Sequence, residues 1–113
     1  MRVNDVRVVD KPWGREVWWA FEGEYAAKVL EVKKGFRLSL QYHRKKKETM
    51  YVLSGSMLLS ADGKDYEVAE GESVTILPGV KHRIKALTDL KVLEASTPEL
   101  DDVVRVEDDY GRK

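Results

Sequence analysis

The sequence of 113 residues contains no cysteine, so neither a disulfide framework nor a thiolate metal site is available. It has no apolar run near the roughly 18 residues that a membrane-spanning helix needs. Twenty basic residues are balanced by twenty acidic ones, and the net charge of zero removes the positive field on which general nucleic-acid binding depends. The opening Met1 to Lys11 lacks the basic-then-apolar order of a secretory leader, so the expected location is the cytoplasm. Asparagine and glutamine occur once each, at Asn4 and Gln41, while 35% of residues are charged. That bias resembles heat-adapted proteins, which carry many charges and few thermolabile side chains. A glutamine kept in such a composition is informative, and so are the only two histidines, His43 and His82.

What is present is punctuation. Gly14, Gly23, Gly35, Gly55, Gly63, Gly71, Gly79 and Pro98 interrupt short runs rich in Val, Leu, Tyr and Trp, which argues for an all-β sandwich or barrel in one domain, residues 1–113. Strands are expected near 5–9, 15–21, 25–33, 36–42, 49–60, 64–68, 73–77, 81–86 and 89–96. Asp62-Gly63 is the clearest hairpin turn, because both central positions of a tight hairpin favour φ > 0. The tail from Glu99 to Lys113 is compatible with a closing strand, a short helix or a frayed end.

Side chains alternate along a strand, so a strand over 36–42 places Arg37, Ser39, Gln41 and His43 on one face and Leu38, Leu40 and Tyr42 on the other. If the polar face lines a barrel, Gln41 and His43 converge on one point, Glu48 follows after a bend, and His82 arrives on a later strand. Two nitrogen and two oxygen donors with one negative charge suit zinc, manganese, cobalt, nickel or iron. The bland alternative is that each histidine is a surface or satisfied core residue, but both histidines and the only glutamine fall in this one pattern.

The spacing Gly35, Gln41, His43, Glu48, Gly55 resembles the first cupin motif, and Gly71 to His82 resembles the second. Ser39-Leu40-Gln41-Tyr42-His43 is similar to the Ser-Leu-Gln-x-His signature of phosphomannose isomerases. Lys11-Pro12-Trp13-Gly14 and the closing Asp101 to Arg112 extend the resemblance to the isomerase domain of bifunctional mannose-6-phosphate isomerase/mannose-1-phosphate guanylyltransferases. The resemblance implies a double-stranded β-helix barrel, jelly-roll-like. It implies one divalent ion, zinc first, on Gln41, His43, Glu48 and His82. The implied reaction interconverts mannose 6-phosphate and fructose 6-phosphate, and a homodimer is expected because small cupins commonly pair. The rival reading is a cupin that binds metal and a sugar or sugar phosphate without catalysis. It is favoured by Lys45 and Thr49 standing where the family carries histidines.

Arg37, on the ligand face, is expected to grip a phosphate or an enediolate oxygen, with an internal salt bridge as the alternative. The run Arg44 to Lys47 reads as a solvated loop or as a phosphate grip. In the second reading Lys45 joins Arg37 in catalysis, and Lys28, Lys47 and Arg112 help to hold substrate. The proton-transferring base is left open between a lysine, Glu94 and Tyr110. Trp13, Trp18 and Trp19 are expected to cover the core or an intersubunit face, with a sugar-stacking platform as the alternative.

Overall fold

A computed structural model describes residues 1–112; Lys113, the last residue of the predicted tail, lies outside the described residues. The expected all-β double-sheet architecture is what the chain forms. Among the described residues there are eleven strands: β1 (Arg7–Lys11), β2 (Gly14–Phe21), β3 (Ala26–Val32), β4 (Leu40–Tyr42), β5 (Glu48–Ser54), β6 (Ser56–Ala61), β7 (Lys64–Ala69), β8 (Ser73–Ile76), β9 (His82–Ala86), β10 (Leu90–Ser96) and β11 (Val104–Glu107). They make two antiparallel sheets, ordered β1-β2-β3-β10-β5-β8 and β11-β4-β9-β6-β7. No helix among the described residues is long and apolar enough to cross a membrane.

Alternation explains both the core and the site. The inward row of β10 is Leu90, Val92 and Glu94, and that of β5 is Val52, Met50 and Glu48; on β3 it is Val32, Leu30 and Lys28. One half of each row is dry: Leu30, Val32, Met50, Val52, Leu90 and Val92 pack with Trp13, Met57, Leu59 and Ile84 into a single buried cluster. The other half carries Lys28, Glu48 and Glu94, so the same interior face turns ionic at one end. Burying charges costs several kcal/mol per ion unless they are paired, which already marks that end as more than packing.

Two strand expectations are corrected. The predicted strand over 49–60 is two strands, β5 and β6, that belong to different sheets. The break is at Gly55, which has φ +83° and whose added Cβ would lie 2.2 Å from the carbonyl oxygen of Asp89, so no larger residue fits there. The predicted strand over 36–42 is regular only at Leu40–Tyr42. Gln41 pairs with His82 while Arg37 bridges Lys85, a one-residue slip in register, and such a slip sends side chains to the opposite face. Leu38 therefore turns inward against the core, and Arg37 turns outward. The open question about the tail resolves as a closing strand, β11, paired with β4. The Asp62-Gly63 turn is as expected, with φ of 49° and 79° between the paired Ala61 and Lys64.

Candidate metal centre and its cavity

The two sheets contribute opposite halves of the site. His82 opens β9 and His43 follows β4 in one sheet, and Glu48 opens β5 in the other. All three are buried, with one ligand atom from each lying within 4.8 Å of the others. Glu48 Oε1 lies 3.3 Å from His43 Nε2 and 3.0 Å from His82 Nε2. Each imidazole has its other nitrogen against a carbonyl: His43 Nδ1 is 2.5 Å from Asp102 O, and His82 Nδ1 is 2.8 Å from Val80 O. A carbonyl can only accept, so each Nδ1 carries the hydrogen, and in a neutral ring each Nε2 presents its lone pair to Glu48. Three lone pairs aimed at one another need a cation between them.

A divalent ion fits that requirement. Ligands about 2.1 Å from a tetrahedral ion stand about 3.4 Å apart, close to the two observed nitrogen–oxygen separations. Backbone acceptors on the far ring nitrogens are also the usual means of orienting metal-bound histidines. Gln41, paired with His82 across β4 and β9, borders the same cavity, and its Oε1 accepts a hydrogen bond from Ser39 Oγ at 2.9 Å.

Around the triad lies an ionic network that continues into a cavity of about 340 Å³. Glu48 Oε2 is 3.3 Å from Lys46 Nζ, and Lys46 is 4.0 Å from Glu94. Lys28 Nζ sits 3.3 Å from Glu16 and 3.5 Å from Glu94, and 5.5 Å from the centre of the Trp18 ring. Trp18 is fixed by donating from Nε1 to Glu16 at 2.8 Å. Burial, reinforced by the Glu48 charge, raises the Glu94 carboxyl's hold on its proton. Glu48 is buried too, but a hydrogen bond from the proton-bearing Glu94 and the Lys46 charge keep it well below the usual carboxylate range. Two neighbouring carboxyls thus separate into one ionised group at the ligand position and one that retains a proton.

The loop bearing the ligands is held by Asp102. Its carboxylate accepts from the backbone amides of Arg44, Lys45 and Lys46 at 3.0, 2.6 and 2.9 Å, and these bonds lower its pKa to about 2. Side chain and carbonyl of one residue therefore shape the loop and aim His43.

The other candidate residues divide cleanly. Lys28 and Arg112 line the cavity, with Arg112 Nε and Nη2 each donating to Asp108 at 3.0 Å. Lys45 and Lys47 point to solvent, and the side chain that enters from this run is Lys46, only 5% exposed. Sequence reasoning passed over Lys46, which lies in the loop before β5, where no strand alternation sets it apart from Lys45 and Lys47. Arg37 does not reach the cavity; its guanidinium, 45% exposed, binds Asp109 bidentately at 2.6 and 2.8 Å on the outside. The three tryptophans part company, Trp13 in the core, Trp18 at the cavity and Trp19 exposed. Tyr110 is occupied by donating its hydroxyl to Arg37 O at 2.9 Å.

Because Arg37 lies outside, replacing it by lysine is expected to leave metal content unchanged and to alter mannose 6-phosphate affinity by no more than about twofold, the size of an exposed ion pair's contribution. Titration calorimetry with the sugar phosphate checks this.

Comparison with known proteins agrees with this geometry. Residues 2–108 match the family described as mannose-6-phosphate isomerase C-terminal. Alginate biosynthesis protein AlgA of Pseudomonas aeruginosa is 33% identical over 109 residues, covering 92% of this chain and 23% of that protein. Mannose-1-phosphate guanylyltransferase of Escherichia coli is 34% identical over 111 residues, covering 94% of this chain and 23% of its own. The chain thus spans about a quarter of the length of these curated relatives. Among solved structures, an RmlC-like cupin from Shewanella frigidimarina superposes with a TM-score of 0.78 at 22% identity, over 85% of this chain and 86% of that one, which establishes the cupin fold.

Proposed function

Because the chain belongs to the mannose-6-phosphate isomerase C-terminal family, we propose that it is a metal-dependent isomerase of sugar phosphates, converting mannose 6-phosphate to fructose 6-phosphate and back. The observation that carries this reading is the buried His43, Glu48 and His82 cluster placed beside a cavity lined by the cationic side chains of Lys11, Lys28, Lys46, Arg105 and Arg112. A phosphorylated sugar offers the complementary charges and hydroxyls, and the volume lies within the range of small-molecule sites.

The reaction moves a proton between carbons 2 and 1 through an enediol. A metal bound by Gln41, His43, Glu48 and His82, zinc in the first instance, supplies electrostatic stabilisation of the sugar oxygens. Lys46, beside Glu48, adds a fixed positive charge at the same place, where exclusion of water strengthens it. Glu94 is the cavity carboxyl next to the cluster that is not a ligand; in its ionised form it accepts a proton from one carbon and returns it to the other, and because its proton affinity is raised, that form and turnover with it are expected to grow as pH rises above neutral. Lys28 and Arg112 hold the anionic end, with Trp18 as the wall beside Lys28.

One observation favours the binding-only alternative. Lys28, Lys46 and Arg112 already have carboxylate partners within the protein, so a phosphate has to compete with Glu16, Glu48 and Asp108 for them. A coupled assay with mannose 6-phosphate and added zinc, cobalt or manganese decides between the two. Turnover is expected, falling at least about a hundredfold in Glu94→Gln with sugar-phosphate binding retained, in line with loss of a general base. Binding without turnover for every metal would leave a non-catalytic cupin.

A further inference from the structure

Glu16, Glu48 and Glu94 are the buried carboxylates among the described residues, at 7%, 2% and 6% exposure. The reaction proposed above employs Glu48 and Glu94 and leaves Glu16 without a part in the chemistry. Burying a carboxylate is costly unless a cation accompanies it, so its position on β2, paired with Leu30 of the core cluster, calls for a reason. Its contacts supply one. Glu16 Oε1 accepts from Trp18 Nε1 at 2.8 Å and lies 3.3 Å from Lys28 Nζ, whose other carboxylate, Glu94, is 3.5 Å away. Burial works against the Lys28 charge, but Glu94 and Glu16 outweigh it and the pKa of Lys28 is raised.

Resting on the reading of Lys28 as a phosphate holder, we propose that Glu16 is an internal stand-in for the substrate's phosphate: it holds Lys28 until the phosphate arrives and takes Lys28 from it. Of the three cations with carboxylate partners in the cavity, Lys28 is the one free to change hands. Arg112 is tied to Asp108 by three hydrogen bonds, one of them from its own backbone amide, and Lys46 neutralises Glu48, a candidate metal ligand. Neither can leave its carboxylate without disturbing the closing segment or the metal centre. Lys28 carries a compact charge with three donors on a flexible stem, and both of its contacts are longer than the usual charged hydrogen bond. Glu16 keeps its bond from Trp18 when the ammonium turns away. The exchange takes place within one cavity, since Glu16, Lys28 and Arg112 all line it.

The phosphate is common to mannose 6-phosphate and fructose 6-phosphate and lies away from the carbons that react. A group that competes with it weakens substrate, transition state and product alike, which raises KM without altering the chemical step. Glu16 therefore sets how readily either sugar phosphate leaves.

Glu16→Gln retains an oxygen that can accept from Trp18 Nε1 and removes the charge. Calorimetric titration of this variant with inorganic phosphate and with mannose 6-phosphate is expected to show binding at least about tenfold tighter than the wild type, or 1.4 kcal/mol, with no gain for unphosphorylated mannose. In the coupled assay KM is expected to fall by a similar factor while kcat stays within about twofold. Made in a Lys28→Gln background, the same substitution is expected to tighten phosphate binding by less than about twofold, because the ammonium it would release is missing. Circular dichroism and metal content establish that each variant is folded and loaded. Indifference to phosphate in both the wild type and Glu16→Gln would overturn the phosphate reading and the role of Glu16 with it. Phosphate binding to the wild type that is unchanged or weaker in Glu16→Gln, or a tightening that survives in Lys28→Gln, would overturn the role of Glu16 alone and leave the phosphate reading standing.

Discussion

Replacing His82 by alanine is expected to reduce bound metal from about one ion per chain to almost none, and to abolish turnover with it. The expectation rests on the meeting of His82 Nε2 and His43 Nε2 at one oxygen of Glu48, with each Nδ1 committed to a backbone carbonyl. Removing one imidazole leaves His43 and Glu48 as the only His and carboxylate members of the cluster, too few for a closed donor set. Glu48 is 2% exposed, and deleting a partner of a buried charge costs about 3 kcal/mol or more. Part of that is offset here by Lys46, which stays 3.3 Å from the other carboxylate oxygen. Elemental analysis of protein purified without chelators, with thermal unfolding in its presence and absence, checks both parts. The wild-type melting temperature is expected to rise with added metal, because an ion that binds only the folded chain stabilises it, while His82→Ala is expected not to respond. Full metal retention in this variant would remove the site assignment.

The second large effect is expected from a residue that touches no substrate. Asp102→Ala removes the acceptor for three consecutive amides in the ligand loop, those of Arg44, Lys45 and Lys46. Hydrogen bonds to a charged group contribute about 1.5–3 kcal/mol each when sheltered. Water replaces much of this on an exposed loop, so a net loss of about 2 kcal/mol is expected. Metal affinity is expected to fall by about tenfold or more, the usual cost of disturbing a residue that orients a ligand. The effect has a defined pH dependence. The folded pKa of Asp102 is lowered to about 2 by those amides, from an ordinary value of 3.8. A lowered carboxyl stabilises the fold above the unfolded value and loses that contribution as pH falls through the folded one. The wild-type advantage over Asp102→Ala should therefore be complete above about pH 5, mostly lost by about pH 2 and gone by about pH 1, which acid titrations of both proteins followed by circular dichroism will show.

How far the sequence discloses this site depends on how regular the backbone is. Parity along a strand is a reliable guide where the strand is regular, and it puts Gln41 and His43 toward the cavity; it has no hold on Lys46, which lies in the loop before β5. It fails at Arg37, because the register slips between the Gln41 and Arg37 pairings, and no residue in 37–40 announces the slip. Gly55 was legible as a turn signal but not as a change of sheet, since its constraint comes from Asp89, which lies 34 positions away. The fold class and the ligand spacing are local patterns and could be read. The partners of Lys28, the anchoring of the ligand loop by Asp102 and the capture of Arg37 by Asp109 are contacts between distant segments, and only the assembled structure displays them.

The division of the ligands between the two sheets also governs when the centre can come into being. His43 waits for Asp102, 59 positions downstream, Glu48 is set by pairing with Ser96 on β10, and His82 lies in the opposite sheet. The contacts that aim these ligands join segments far apart in sequence, so the full set comes together only when both sheets have formed. Such non-local closures are slow steps, reached after the local turns have formed. An ion added during refolding is therefore expected to speed none of the slow non-local pairing and to act only on the closed barrel.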